Sequence, residues 1–111
     1  MKLGERALQV WQVLICIARN RQTITYGQLA QLMGMGESPV VVTPSLSRVW
    51  EYCERNNLPS LTYLVVGKWA GKPGTEFPDL DSERERVFNY PWFSLRPVQV
   101  NDFEVQEQEE G

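Results

Sequence analysis

Histidine is absent from all 111 residues. That removes Ser-His-Asp triads, Cys-His nucleophile pairs and His-based metal sites, and with them the commonest proton shuttle at neutral pH. Cysteine is scarce, with only Cys16 and Cys53. Two thiolates cannot fill a structural zinc tetrahedron, and each stands among helical residues, which favours free thiols over a disulfide. No apolar run reaches the roughly 18 residues that mark a membrane span. No basic segment leading into an uninterrupted apolar stretch opens the chain, so no signal peptide is expected and the cytoplasm is the expected location. No cofactor motif and no internal repeat is found. Carboxylates such as Glu76, Asp79 and Asp81 have no partner set at a matching spacing, so an enzyme is not the expectation.

A strong excess of positive charge is also missing. The net charge of −3 nevertheless hides a division. Met1 to Lys72 holds eight basic residues against four acidic ones, a balance of +4. Pro73 to Gly111 holds three Arg against ten carboxylates, a balance of −7. A basic body with an acidic tail is compatible with nucleic-acid binding by the body, although charges of this size are also ordinary on solvated helix faces. The content of 42% hydrophobic and 11% aromatic residues argues for a folded chain of one domain with one core.

The most telling stretch is Ile24-Thr25-Tyr26-Gly27-Gln28-Leu29-Ala30. It reads as a short extended piece running into a helix, with Thr25 and Gln28 forming a capping box. Leu29, Leu32 and Met33 supply that helix with an apolar face, and Gly34-Met35-Gly36 stops it. Before it, residues 4–19 form a first helix with Leu8, Trp11, Leu14, Ile15 and Ala18 on one face and Val10, Val13 and Ile17 widening it. Asn20 is the expected left-handed cap. After it, Pro39 and three Val make a connection with room for a short strand. Thr43 is the expected N-cap of a third helix and Pro44 its first residue. Leu46, Val49, Trp50 and Cys53 are expected inward. Ser45, Ser47, Arg48, Glu51, Tyr52 and Arg55 are expected elsewhere, and Asn56-Asn57 ends the helix.

Leu61 to Val66 is rich in β-formers and reads as a strand. With a turn around Gly67 to Gly71 it would make a two-stranded wing. Residues 79–90 read as a further helix, with Val87 and Phe88 inward. Tyr90-Pro91-Trp92-Phe93 is an aromatic anchor interrupted by Pro. The expected organisation is α+β: a small winged helix-turn-helix of three helices and a hairpin over residues 1–100, with a C-terminal helical and aromatic extension. Residues 101–111 are expected to be an acidic, disordered tail.

Ile24 to Gly74, about half of the chain, carries a resemblance. Its marks are Thr25-Tyr26-Gly27-Gln28-Leu29-Ala30, the helix with Arg48, Leu58-Pro59 leading to Val65-Val66, and Gly71, Pro73 and Gly74. In these it resembles the alkyltransferase-like proteins and the C-terminal domain of O6-alkylguanine-DNA alkyltransferases. The resemblance implies a winged helix-turn-helix that binds DNA through the minor groove. It does not imply alkyl transfer. The family places Pro-Cys-His-Arg or Pro-Trp-His-Arg just before the paired Val, and here Pro59-Ser60-Leu61-Thr62-Tyr63-Leu64 stands there. Tyr52-Cys53, Leu58-Pro59-Ser60-Leu61, Val65-Val66 and Gly71-Lys72-Pro73-Gly74 also resemble a type of small bacterial or phage-associated protein of undefined role, which implies such an origin.

The third helix of a helix-turn-helix meets nucleic acid with its N-terminal half. The expected contacts are Thr43, Ser45, Ser47 and Arg48, whose hydroxyls, amides and guanidinium suit phosphates or a narrow groove. The alternative is that Arg48 pairs with Glu51 or Tyr52 while Ser45 supports the cap. Tyr26 and Gln28 add phosphate contacts or serve only as helix-start residues. Lys68, Trp69 and Lys72 at the wing tip combine charge with a stacking ring, unless Trp69 folds back onto Trp92 or Phe93. The expected function is non-enzymatic DNA binding. The alternative is a protein-interaction module that docks a partner through the acidic tail and aromatic cluster. Homodimerisation through the first helix is left open.

Overall fold

The computed structural model describes residues 2–36, 38–67 and 80–104. Lys68, Trp69 and Lys72, the expected second wing strand and residues 105–111 lie outside them. The described residues form an α+β arrangement, mostly helical, with four α-helices and a two-stranded parallel sheet. No helix among them is long and apolar enough to cross a membrane.

Helix α1 spans Leu3–Arg19. Its first turn is fixed by Glu5, whose carboxylate accepts the Lys2 backbone N–H at 2.9 Å, a favourable place for negative charge at a helix start. Ala7, Val10, Trp11, Leu14, Ile15 and Ala18 are buried along it, and α1 packs against α3 (Thr43–Arg55), α4 (Leu80–Asn89) and the turns at Leu61–Leu64 and Val100–Phe103. The helix ends at Asn20, but Asn20 keeps φ at −94°. The left-handed residue is Arg21, at φ 54°. Asn20 instead turns its side chain back, and Nδ2 donates to the Cys16 carbonyl at 2.9 Å.

Strand β1, Ile24–Thr25, leads into α2, Tyr26–Leu32. The capping box is present. The Gln28 N–H donates to Thr25 Oγ1 at 3.0 Å, and the Thr25 N–H donates to Gln28 Oε1 at 3.0 Å. Gly34 and Gly36 take φ of +70° and +87° beyond the helix, angles that side-chain-bearing residues seldom adopt. Arg6 Nη1 donates to the Met33 carbonyl at 2.8 Å, tying the end of α2 to α1.

Pro39–Val42 is a 3₁₀ turn rather than a strand, and it runs directly into α3, Thr43–Arg55. The Thr43 N–H therefore bonds the Val40 carbonyl, and Val42, not Thr43, is the N-cap. The inward face of α3 is Ser45, Leu46, Val49, Tyr52 and Cys53. Three expectations reverse here: Ser45 and Tyr52 are buried, at 1% and 8% exposed, and Trp50 faces out at 47%. Asn57, at φ 58°, ends the helix.

The expected strand Leu61 to Val66 is mostly something else. Leu61–Leu64 is a 3₁₀ turn and only Val65–Val66 is extended, as β2. Its partner is β1, in parallel register with Ile24 opposite Val65 and Thr25 opposite Val66. Leu61, Leu64, Val65 and Val66 are all buried, so their apolar character reflects burial on every side rather than strand alternation.

Helix α4, Leu80–Asn89, packs on that 3₁₀ turn. Arg84 Nε donates to the Tyr63 carbonyl at 2.8 Å. Trp92 sits in the next turn, Trp92–Ser94, and its Nε1 donates to the Val87 carbonyl at 2.8 Å. Val100–Phe103 is a last 3₁₀ turn, so the tail expected from Asn101 begins inside packed structure. Phe103 is 1% exposed. The aromatic centre is Trp11, edge-on to Tyr52 at 5.2 Å and to Trp92 at 5.7 Å, with Phe103 at 5.8 Å.

Candidate nucleic-acid interface

Around α3 the residues divide by angle. Ser45, Leu46, Val49, Tyr52 and Cys53 fill the core side. Thr43, Pro44, Ser47, Glu51 and Glu54 are exposed on the other. Trp50 borders that outer face on one flank, and Arg48 and Arg55 border it on the other, as helical spacing requires. The first two outer turns therefore present hydroxyls, an indole and a guanidinium. The last turn presents carboxylates.

Of the expected contact residues, Thr43, Ser47 and Arg48 share this region. Ser45 does not. It is 1% exposed, because it lies one turn before Val49 on the inward stripe. A hydroxyl is small enough for that packed position. The Arg48 guanidinium turns to the C-terminal segment instead, and its Nη1 donates to the Phe103 carbonyl at 3.3 Å. Gln28 is exposed but committed to the capping box, and Tyr26 is half-buried at the edge of the core. Gln28 also lines an open cleft of about 440 Å³ with Ile17, Thr23, Ile24, Gln31 and Leu32.

Sequence reasoning missed the C-terminal clasp on the Arg48 flank. Arg55 Nη2 donates to the Asp102 carbonyl oxygen at 2.8 Å, and its guanidinium lies 5.8 Å from the Tyr52 ring centre. The Asp102 carboxylate takes Arg96 at 3.0 Å and the Gln99 N–H at 2.7 Å. Burial opposes ionisation of Asp102, but Arg96 and the Gln99 N–H outweigh it and hold the carboxyl below its ordinary value. The bonds made by Arg48 and Arg55 go to neutral carbonyls, while the charge of Arg55 also acts on the nearby Asp102 carboxylate. A lone Phe among acidic residues was the only signal of this clasp.

Other arginines are spoken for differently. Arg21 pairs with Glu85 at 2.8 Å and covers the Phe88 ring at 5.0 Å. Arg86 pairs with Glu83 at 3.0 Å. Arg19 lies 5.9 Å over the ring of exposed Phe93.

Where the resemblance would place reactive groups, Ser60 Oγ and Thr62 Oγ1 are 2.7 Å apart and bonded to one another. Cys53 is 0% exposed. Burial pushes its thiol up to about 11, with Glu54 adding and the Leu61 N–H opposing. At neutral pH it stays a thiol, which is a poor nucleophile. Among the described residues no group of His, Cys, Asp and Glu could hold a metal ion.

In comparisons with known proteins, no family model, no curated protein and no solved structure matches the chain.

Proposed function

We propose that this chain is a non-enzymatic nucleic-acid-binding module of winged-helix type, which lays the first two outer turns of α3 on duplex DNA. The observation that carries this reading is the outward stripe Thr43, Ser47 and Trp50 on a helix whose opposite face is core. The order α1, β1, α2, α3, β2 supports it, since α2 and α3 follow one another as a helix-turn-helix pair does. Hydroxyls and Arg48 suit phosphate oxygens, and Trp50, 47% exposed, suits stacking on a sugar or base. Glu51 and Glu54 confine the contact to the N-terminal half. Lys68 and Lys72 would add phosphate contacts. Two free cysteines suit a cytoplasmic setting.

The test is fluorescence anisotropy with a labelled duplex of about 20 base pairs at rising salt, where phosphate contacts make affinity fall. Trp50→Ala, Arg48→Ala and Lys68→Ala should each weaken binding. Trp50→Ala should cost about tenfold, in line with the loss of one stacked ring. Salt-independent binding, or binding untouched by these changes, would remove the surface. A second reading is favoured by one observation. Leu32, Val40, Trp50 and Phe93 are exposed at 65%, 70%, 47% and 69%, which suits a protein-docking module. Such a module would ignore duplex DNA and capture one defined protein.

A further inference from the structure

A second concave surface lies where the last turn of α3 meets the C-terminal clasp. It is an open cleft of about 240 Å³ lined by Tyr52, Arg55, Asn56, Arg96, Asn101 and Asp102. All six carry polar groups. Two guanidiniums stand against one carboxylate in that lining, so its balance is positive. Small-molecule pockets begin near roughly 300 Å³ and are mostly apolar, whereas this cleft has room for one polar group and the start of whatever bears it.

The cations are fixed before any ligand arrives. Arg55 Nη2 is held on the Asp102 carbonyl at 2.8 Å. Arg96 Nη2 is held on the Asp102 carboxylate at 3.0 Å, and its Nη1 reaches the Pro97 carbonyl at 3.2 Å. Phe103, packed beside Trp11 and Tyr52, anchors the turn that carries Asp102. A guanidinium has more N–H donors than these bonds use, and a donor already held in place loses little freedom on binding. The Asp102 carboxylate is itself taken up by Arg96 and the Gln99 N–H. Tyr52 is the second mark of a built site. It is 8% exposed, yet its phenol end lies within the influence of Asp102, Arg96 and Arg55. Its hydroxyl makes no hydrogen bond among the described residues. Burial and then Asp102 raise that hydroxyl above its ordinary value, so at neutral pH it keeps its proton and can donate.

We propose that this cleft binds a phosphate group, held by Arg55 and Arg96 with the Tyr52 hydroxyl as a further donor. Donors on several side chains suit the three or four oxygens of a phosphate better than the two of a carboxylate. The site is separate from the outer face of α3. None of Thr43, Ser47, Arg48 and Trp50 lines it, and neither do Glu51 and Glu54.

The test is an NMR titration of the full chain with inorganic phosphate at constant ionic strength, with acetate in parallel. Amide shifts at residues 52–56 and 96–102 should saturate with a dissociation constant of about 1–10 mM, and acetate should bind at least about fivefold more weakly. Tyr52→Phe keeps the packed ring and removes only the hydroxyl; it should weaken phosphate about tenfold. Arg55→Gln should do the same or more, while Trp50→Ala should change nothing. Urea unfolding confirms that each variant is folded. Shifts that rise without saturating, shifts centred elsewhere, acetate binding as tightly as phosphate, or full affinity in folded Tyr52→Phe would each overturn the site. The labelled duplex separates the two sources of the group. Duplex binding weakened by Tyr52→Phe assigns the cleft to a backbone phosphate. Duplex binding unchanged by it, beside saturating phosphate, assigns the cleft to a free phosphate or phosphate monoester. Saturating phosphate with no duplex binding at all makes the same assignment and removes only the reading of the α3 face.

Discussion

Phe103→Ala is the sharpest test of the C-terminal clasp. The ring is 1% exposed and meets Trp11 at 5.8 Å and Tyr52 at 5.2 Å. Deleting a buried aromatic ring costs about 3–5 kcal/mol, from lost transfer energy plus the cavity left behind. The clasp cannot escape this by detaching cheaply. Release would give up the bonds from Arg48 and Arg55 and would bare Trp11 and Tyr52 to water. Domains of this size have about 5–15 kcal/mol in total, so the variant should sit close to the edge of folding. Each kcal/mol lowers the midpoint by about 4 °C or more, which places the fall at roughly 12–20 °C. Urea unfolding followed by tryptophan fluorescence reports on the site directly, because Trp11 borders the ring. A reduced urea slope would show the clasp leaving the native state, since less surface is then exposed on unfolding. Asn101→Ala, an exposed neighbour on the same turn, should stay within about 0.5 kcal/mol of the parent. A loss below about 1 kcal/mol in Phe103→Ala at unchanged slope would refute the reasoning, because the last turn would then lie outside the cooperative core.

Thr25→Ala removes the acceptor for the Gln28 N–H and should cost about 1 kcal/mol in the same urea assay. In the native protein a thiol reagent should modify exposed Cys16 and spare Cys53, with both reacting in urea; rapid loss of both in the native state would contradict the burial of Cys53. The folded Cys53 thiol titrates near 11 against a reference of 9.0. Its contribution is thus fully present below pH 9 and is lost as pH rises through 11, roughly 2–3 kcal/mol in all. Cys53→Ala should flatten that alkaline decline while leaving the part due to Tyr52, whose hydroxyl is also raised by burial and then by Asp102. The Asp102 carboxyl is lowered, so its contribution is present above the ordinary carboxylate value and is lost as pH falls through the folded one. Asp102→Asn should weaken the clasp at neutral pH and make melting less sensitive to acid.

The helices were legible in the chain because their signals are local. The Thr25 and Gln28 box, Pro44 in the first turn of α3 and the glycines at 34 and 36 act through neighbours only. What was illegible depended on distant partners. Leu61 to Val66 looks like a strand by composition, but the buried site it enters bends its first four residues into a 3₁₀ turn. Trp50 and Tyr52 exchanged roles because both are large aromatics two residues apart, and only the position of Trp11 and Phe103 decides which one is drawn in. Ser45 could have been found: it shares the inward angle of Val49 and Tyr52, and its hydroxyl disguised that. Asn101 to Glu104 read as solvent-loving because one Phe is outvoted by its acidic neighbours, although a single ring can anchor a whole turn.

Strands β1 and β2 lie side by side in parallel, and α2, the Pro39–Val42 turn and α3 all fall between them in the chain. A pair of two-residue strands has no stability of its own. Their backbone protons can resist exchange with solvent only while the intervening helices stay assembled. Deuterium uptake at this pair thus measures the opening of the whole enclosed unit, even though each strand is only two residues long.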